Sequence, residues 1–406
     1  MHNSLKRKGI ITLTHFVLLF IFAAAMDVIN RYYYFIFIAA GFFCLNPKRK
    51  IYVDSIPLSM LGILAVSWVL FSPSTTTSIF APLKPFTYAL CYILGMSLMN
   101  DDKEYSENKT SYKLFYFTAF VVAFGSMVHY LLNWLLNMDA DDRYTIDFWT
   151  RRILAATGQA ALACLPLALA IACIFSKNNK YIKLSAIATL VLVFIYNLIL
   201  SGRTLIIISL IAAGVAFLHQ FASEKNTRFR IFLILLVVII AILFMYQIDL
   251  FGVRTFVEES PFYDRFFSED SAIELEEDGR MDMKIYHLQN MGRFLFGGAH
   301  IREEIGYAHD IFLDTYDEAG IFAFIAIIIY MLATVSHLVK FLKDKSIPFS
   351  ARQIVLCIYV VLYIEFFVEP ILQGMPWLFA TFCLIDGYVS RILNHNEVVR
   401  GNECNL

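Results

Sequence analysis

The sequence predicts an all-α polytopic membrane protein with about twelve transmembrane helices and one large loop between the ninth and tenth helices. Apolar residues make up 59% of the 406 residues and charged residues only 17%, whereas soluble domains contain about 45–50% and about 25%. Apolar runs of roughly 20 residues recur along the chain, which is the length that crosses a bilayer as a helix. These runs are continuous and do not alternate, so a soluble enzyme and a β-barrel are both excluded.

The apolar runs define the predicted spans. The second run is short and begins at three consecutive tyrosines, which is typical of an aromatic belt at a membrane interface. The twelve predicted spans are 10–27, 32–45, 55–72, 83–99, 113–136, 153–175, 181–201, 204–222, 230–249, 317–339, 353–371 and 376–393.

The distribution of Lys and Arg predicts the orientation. Twenty-one of the 33 Lys and Arg residues fall on the side of the N-terminus, spread over every loop of that side. The positive-inside rule therefore predicts that both termini are cytoplasmic. The chain divides into spans one to nine (1–249), an outer loop with short helices (250–316), and spans ten to twelve with a cytoplasmic tail (317–406).

The basic residues of the outer side differ in kind from those of the inner side. Ten of the twelve are arginine, and the exceptions are Lys84 and Lys284. The planar guanidinium group grips phosphate and carboxylate through two parallel hydrogen bonds. The bias indicates an outer face that binds phosphorylated or acidic ligands, although chance among a dozen residues explains it equally well. No basic cluster of the kind that binds nucleic acid is present.

The second half of the outer loop contains the residues most suited to chemistry. Arg280, Lys284 and His287 are spaced to lie on one helical face. His309 stands at the start of a further helix, where it is either structural or a base, since histidine exchanges protons near neutral pH. The acidic residues of that helix are either a solvated face or ligands for a divalent cation; they are Asp310, Asp314 and Asp317.

Two further outer segments carry arginine. Arg143, Trp149 and Arg152 precede the sixth span and form either a rim that contacts sugar and phosphate or an interfacial anchor belt. Arg203 lies in the tight connection between spans seven and eight. There it either extends along the membrane surface towards water or captures phosphate.

Few ionisable residues remain inside the predicted spans. Glu365 and Glu369 share a face of span eleven, and Asp386 lies near the middle of span twelve. Such residues suggest function by default, but we identify no basic partner for them in the spans, which argues against an ion pathway. The seven cysteines show no CxxC spacing, so a buried apolar role is expected for them.

The chain resembles the O-antigen ligase and O-antigen polymerase superfamily of bacterial envelope glycosyltransferases. Three local segments carry the resemblance: Ser201-Gly-Arg203-Thr204, Gly279-Arg280 through Tyr286, and Ala308-His309 through Gly320. The predicted spans, the cytoplasmic termini and the single large loop, which would be periplasmic, extend the resemblance over most of the chain. The sequence departs from the family pattern at Asp310, where asparagine is usual, and at Ala299.

The resemblance implies a fold of the GT-C type, with an active site on the periplasmic side of the bacterial inner membrane. The donor would be a glycan linked to undecaprenyl diphosphate, with Arg203 and Arg280 binding the diphosphate and His309 activating the acceptor hydroxyl. The acceptor would be lipid A–core or another glycan, with Tyr307 and Trp149 stacking on its sugars. Arg143, Arg152 and Lys284 are further candidate substrate-binding residues. Arginine supplies charge stabilisation to the leaving diphosphate, so neither a metal nor a cofactor is expected.

Three functions stay open. The segments 26–32 and 156–159 favour a ligase, which joins finished O-antigen to lipid A–core in lipopolysaccharide biosynthesis. The segments 313–320 and 369–376 also resemble some repeat-unit polymerases. A transporter or flippase predicts internal repeats and sites at the middle of the membrane, whereas the informative residues here lie on the outer side.

Overall fold

The computed structural model describes residues 2–44, 53–73, 81–98, 110–138, 144–200, 202–223, 244–258, 263 and 279–403. The architecture within these residues is helical, apart from one small hairpin. The first eight helices are α1 His2–Ala25, α2 Tyr32–Cys44, α3 Ser55–Phe71, α4 Phe86–Leu98, α5 Thr110–Leu136, α6 Ala156–Ile174, α7 Lys180–Ile199 and α8 Arg203–Ser223. The others are α9 Val253–Glu258, α10 Arg280–Asn290, α11 His300–Ile305, α12 Ile311–Lys343, α13 Phe349–Val368, α14 Ile371–Gly374 and α15 Pro376–Glu403.

Six of the described helices are long and apolar enough to cross a membrane: α5 from Tyr112 onward, α6, α7, α8, α12 and α13. They coincide with six of the predicted spans. Four shorter apolar helices correspond to the first four predicted spans, and α15 contains the twelfth. The thirteen residues of α2 cover only about 20 Å at 1.5 Å per residue, less than the apolar core of a bilayer. The predicted ninth span, 230–249, lies mostly outside the described residues. The chain is thus a helical protein with membrane-spanning helices.

The core lies between the helices and consists of aliphatic and aromatic side chains. The closest approach is between α4 and α15, where Gly95 faces Gly387. A Cβ atom on Gly95 would lie 2.1 Å from the carbonyl oxygen of Leu384, and one on Gly387 would lie 2.2 Å from that of Tyr92. Small residues permit such backbone contact between helices in a membrane. Cys91, Cys164, Cys357 and Cys383 are buried and free, as the sequence predicts.

The hairpin departs from the helical prediction. Strands β1 Tyr144–Ile146 and β2 Ile153–Ala155 pair antiparallel, with Thr145 opposite Leu154. The predicted sixth span therefore begins three residues late, at Ala156. Asp147 holds the turn, because its carboxylate accepts hydrogen bonds from the amides of Trp149 and Thr150.

Helix α12 is broken near its start. Gly320 has φ of 81°, outside the helical region, and Gly297 packs against the break. The amide of Ile321 donates to Leu295 O at 2.9 Å, and that of Ala299 donates to Asp317 O at 2.7 Å. The loop thus satisfies main-chain groups that the break exposes, as a membrane protein requires. The predicted Gly297-Gly298 break is the point where the outer loop docks on α12.

Residues predicted for the outer side gather at one end of the bundle. Two cavities lie there. The larger cavity has a volume of about 420 Å³ and is lined by Trp68, Pro73, Ala81, Lys84, Pro85, Tyr88, Arg302, Glu303, Tyr307, Leu372, Gln373 and Pro376. The smaller cavity, of about 240 Å³, is lined by Asp27, Asn30, His129, Asp147, Thr150, Arg152, Ile153, Leu154, Leu162, Gln373, Gly374, Met375 and Trp377. We call this end, which also carries α10 and α11, the loop end.

Candidate functional site

The loop end contains a cluster of charged side chains at the end of α13. Helix α10 contributes Arg280 and Lys284, the start of α12 contributes His309 and Asp310, and α13 ends at Glu369. Glu369 Oε1 lies 3.4 Å from Arg280 Nη1, and Glu369 Oε2 lies 3.7 Å from His309 Nδ1. We call these five residues the Glu369 cluster. One carboxylate thus brings together two residues that are 29 positions apart.

The last turn of α13 draws the two cations into the cluster. Arg280 donates to Val368 O at 3.2 Å, and Lys284 donates to Phe367 O at 2.7 Å. Carbonyl groups at a helix C-terminus lack partners in the helix and carry negative partial charge, so they attract cations. The predicted helical spacing is confirmed, with Arg280 and Lys284 both directed to α13. His287 differs: it is buried and contacts Gly306 O at 3.0 Å.

The backbone of His309 is held in a conformation that side chains rarely adopt. Its φ is 54°, in the left-handed region. Asp314 clamps both neighbours, because its carboxylate accepts from the amide of Ala308 at 2.8 Å and from that of Asp310 at 3.0 Å. A backbone held in this region costs on the order of 1–3 kcal/mol and is found preferentially at functional sites. The clamp therefore fixes where the imidazole points.

The acidic residues after His309 organise the backbone. Asp310 caps α12 by accepting from the amides of Phe312 and Leu313. Asp317 accepts from the amides of Ile301 and Arg302 at 2.9 and 3.0 Å. The side chains of the predicted triplet are thus engaged by main-chain donors. Among the described residues, no group of three His, Cys, Asp or Glu side chains is arranged to hold a metal ion.

Arg203 is the first residue of α8 and is partly buried. Helix α8 packs against α13, where His219 contacts Gln353 at 2.5 Å. The convergence of Arg203 with the Glu369 cluster stays a prediction.

The other predicted binding residues lie elsewhere on the loop end. Tyr307 lines the larger cavity, with the Arg302 guanidinium 5.1 Å from its ring centre, and burial raises the pKa of its hydroxyl. Arg152 is exposed and lines the smaller cavity. Trp149 packs on His129, with ring centres 6.3 Å apart. Arg143 lies outside the described residues.

The structure adds ionic groups at the loop end that the sequence did not single out. Arg302 forms an ion pair with the buried carboxylate of Glu318. His129 lies 2.7 Å from Asp147. Burial raises the pKa of Asp147, but hydrogen bonds from His129 and Thr150 outweigh burial and lower it below its ordinary value. The two residues of each pair lie 16 or more positions apart in the sequence. No local spacing pattern therefore predicts these ion pairs.

The prediction that acidic residues in the spans lack a basic partner is wrong for Asp386. His337 Nδ1, on α12, lies 2.9 Å from Asp386 Oδ1, and its Nε2 lies 3.6 Å from Asp54 Oδ2. Asp386 also accepts from Tyr359, and Asp54 accepts from Ser390. We call these five residues the His337 network. We did not predict this network from the sequence because we considered Asp and Glu in the apolar segments but not His337.

No model of a known protein family matches the chain, and no curated protein is significantly similar to it. The functional argument therefore depends on the residues at the loop end.

Proposed function

We propose that the chain is a membrane glycosyltransferase that uses a glycan linked to undecaprenyl diphosphate. The observation that carries the proposal is Glu369, which contacts both Arg280 and His309 at an end of the bundle. A candidate base and a candidate diphosphate-binding cation are thus held side by side. This is the arrangement that transfer from a diphosphate-linked donor to a hydroxyl requires.

In this proposal the cations stabilise the leaving group. As the bond between the anomeric carbon and the diphosphate breaks, negative charge grows on the diphosphate oxygens. Arg280 and Arg203 neutralise that charge, with Lys284 one turn from Arg280 on α10. Guanidinium groups are well suited to this task, because they stay charged and hydrogen-bond oxyanions in pairs.

His309 acts on the acceptor. Its imidazole takes the proton of the acceptor hydroxyl while the hydroxyl oxygen attacks the anomeric carbon from the side opposite the diphosphate, which inverts the configuration. Glu369 faces Nδ1 at 3.7 Å and stabilises the imidazolium that forms. The acceptor we propose is lipid A–core, on the periplasmic side of the bacterial inner membrane, with both termini of the chain in the cytoplasm.

Deletion of the gene in its native host tests the ligase. We expect uncapped lipid A–core on a lipopolysaccharide gel and long glycan retained on undecaprenyl diphosphate. Wild type should restore the capped pattern and His309→Ala should not, because the base is lost. His300→Ala is the matched control: His300 is exposed in the same loop and stacks on Phe294, so it should restore the pattern at equal protein level.

Other outcomes decide between the alternatives. Core capped by a single repeat unit in the deletion strain would identify a repeat-unit polymerase, which uses the same donor and chemistry. Full capping by His309→Ala would show that the histidine is structural. An unchanged glycan pattern in the deletion strain would contradict both enzymes and favour a transporter or another surface glycan.

A further inference from the structure

The two cavities of the loop end adjoin one another. Gln373, in α14, lines both of them. The larger cavity, at about 420 Å³, is within the range of small-molecule sites, about 300–1,000 Å³. Together the two cavities form a groove beside α14. The roles proposed above for Arg280 and His309 do not assign a function to this groove.

The larger cavity combines aromatic rings with positive charge. Trp68, Tyr88 and Tyr307 supply the rings, and Lys84 and Arg302 the cations. Aromatic faces pack on the apolar faces of sugar rings, while their polar edges remain wet. Arg302 is paired with Glu318, so Lys84 is the cation left to meet an incoming anion. Lys84 Nζ lies 5.6 Å from the ring centre of Tyr33 and makes no ion pair within the described part of the chain.

The groove also offers unused hydrogen-bond acceptors. Gln373 Oε1 and Asp27 Oδ1 are buried and have no hydrogen-bond partner among the described residues. A buried acceptor without a donor costs on the order of 1–3 kcal/mol, and a sugar hydroxyl would remove that cost. Asp27 lies in a turn whose strained backbone includes Ile29 and Asn30, both with positive φ. Strain of this kind favours a binding role for the turn.

The groove lies beside the segment that holds His309, although His309 itself lines neither cavity. Tyr307, on the groove wall, precedes His309 by two residues, and Gln373 follows Glu369 by four. Gln373 Nε2 donates to Asp314 O at 3.1 Å, and Asp314 is the residue that clamps the backbone on both sides of His309. A ligand in the groove would thus approach the proposed base from the side of Tyr307 and Gln373, whereas Arg280 and Lys284 approach the cluster from α10.

We propose that this groove binds an acceptor saccharide carrying an anionic group, either a carboxylate or a phosphate ester. Lys84 contacts the anionic group, Trp68 and Tyr307 pack on sugar rings, and Gln373 and Asp27 accept hydrogen bonds from sugar hydroxyl groups. The inference rests on the proposed transferase function and adds the chemical class of the acceptor. Exposed Glu303, which also lines the larger cavity, lies at its rim and disfavours anions there.

Binding to the purified full chain tests the groove directly. The probes are trigalacturonic acid with its carboxyl-reduced neutral counterpart, and glucose 6-phosphate with glucose. Tryptophan fluorescence reports binding, because Trp68 and Trp377 line the two cavities. We expect at least one anionic probe to bind more tightly than its neutral counterpart. Preference within the uronate pair identifies a carboxylate, and preference within the glucose pair identifies a phosphate ester.

The variant Lys84→Gln should weaken binding of the preferred anionic probe by about tenfold or more, since a hydrogen bond to a charged group is lost. Its binding of the neutral probe should not change, and Lys84→Arg should retain most of the affinity. Arg254→Gln is the control: this arginine is exposed and pairs with Glu258 on α9. Unchanged binding by Lys84→Gln would overturn the proposal, as would equal or absent binding of all four probes by the wild type.

Measurement in the His309→Ala background separates this inference from the proposed function. Binding does not require turnover, so the anion preference should persist when transfer is lost. If His309→Ala still transferred glycan while the preference depended on Lys84, the catalytic assignment would fail and the groove would stand. If transfer depended on His309 while Lys84→Gln left both binding and KM for an anionic acceptor unchanged, only the groove would fail.

Discussion

Two histidine–carboxylate clusters stand at different places in the molecule, and their surroundings differ. In the His337 network both imidazole nitrogens face carboxylates, Asp386 and Asp54, which are themselves bonded to Tyr359 and Ser390. In the Glu369 cluster, His309 Nδ1 has an ionic neighbour at 3.7 Å and no hydrogen bond among the described residues. One histidine is saturated with partners and the other is not.

The surrounding structure differs in the same sense. The side chain of His337 is 13% exposed and lies within α12, whereas that of His309 is 24% exposed and lies on a strained backbone before α12. Asp386 Oδ2 has no hydrogen-bond partner among the described residues, but Asp386 Oδ1 accepts from Tyr359 and faces His337 at 2.9 Å, and buried bonds of this kind make a structure rigid. An incompletely paired histidine at a strained, accessible position is better suited to exchange protons with a ligand. Both sites contain a histidine and a carboxylate, so their presence does not distinguish a structural site from a reactive one. What distinguishes them is whether the nitrogens of the imidazole already have partners.

Substitution of each histidine tests this comparison. The largest effect that we expect is a loss of stability when His337 is replaced. His337→Leu would leave Asp386 fully buried without its cation, at a cost of about 3–5 kcal/mol. It would also remove the hydrogen-bond partner that lowers the pKa of Asp54. We expect a clear fall in the thermal unfolding midpoint of the purified protein.

His309→Leu is the matched control for that measurement. Its ion pair with Glu369 is partly exposed, so its loss should cost less than about 1 kcal/mol. Equal destabilisation by the two substitutions would contradict the assignment of His337 as structural and His309 as reactive.

The variant Glu369→Gln tests whether the loop-end carboxylate acts through His309. The amide keeps the shape but loses the charge that stabilises an imidazolium, so we expect kcat to fall by about 10²-fold, within the range of acid–base catalysis. The KM for the acceptor should change little, because Glu369 lines neither cavity of the groove. Kinetic measurement of glycan transfer separates the two constants.

Glu304→Gln serves as the control for the kinetic test. Glu304 is exposed on α11 and accepts from Tyr286 at 2.7 Å, away from His309. A kcat for Glu369→Gln equal to that of Glu304→Gln would show that the charge of Glu369 affects transfer neither through His309 nor through Arg280.

Hydropathy located the helices, because the bilayer imposes length and composition on every span. The spacing of Arg280 and Lys284 likewise gave the face of α10. The hairpin at 144–155 escaped prediction because strands of three residues are too short to show alternation. The ninth predicted span and Arg143 lie outside the described residues, so they stay predictions.

Contacts between distant residues account for what the sequence did not give. Glu369 was noticed as an acidic residue near the end of a span, but its contacts with Arg280 and His309 depend on how α10 and α12 dock on α13. His337 meets Asp54 from 283 positions away in the chain. One sequence carries no local pattern for such pairs.

The smallest expected effect concerns Asp310, where the superfamily that the sequence resembles usually has asparagine. Asp310 Oδ1 accepts from the amides of Phe312 and Leu313 at 3.0 and 3.2 Å, and Lys284 Nζ lies 3.9 Å from its other oxygen. Asparagine caps a helix about as well as aspartate, so Asp310→Asn should lose only a partly exposed ion pair and change stability by less than about 0.5 kcal/mol.

Asp310→Ala removes the cap as well and should cost about 1 kcal/mol. Because the cap starts α12 directly after His309, this variant should also lower glycan transfer, whereas Asp310→Asn should not. Thermal unfolding and transfer by the two variants, measured side by side, check both expectations. Loss of transfer in Asp310→Asn would mean that the negative charge itself serves the Glu369 cluster, and that the departure from asparagine at this position is functional.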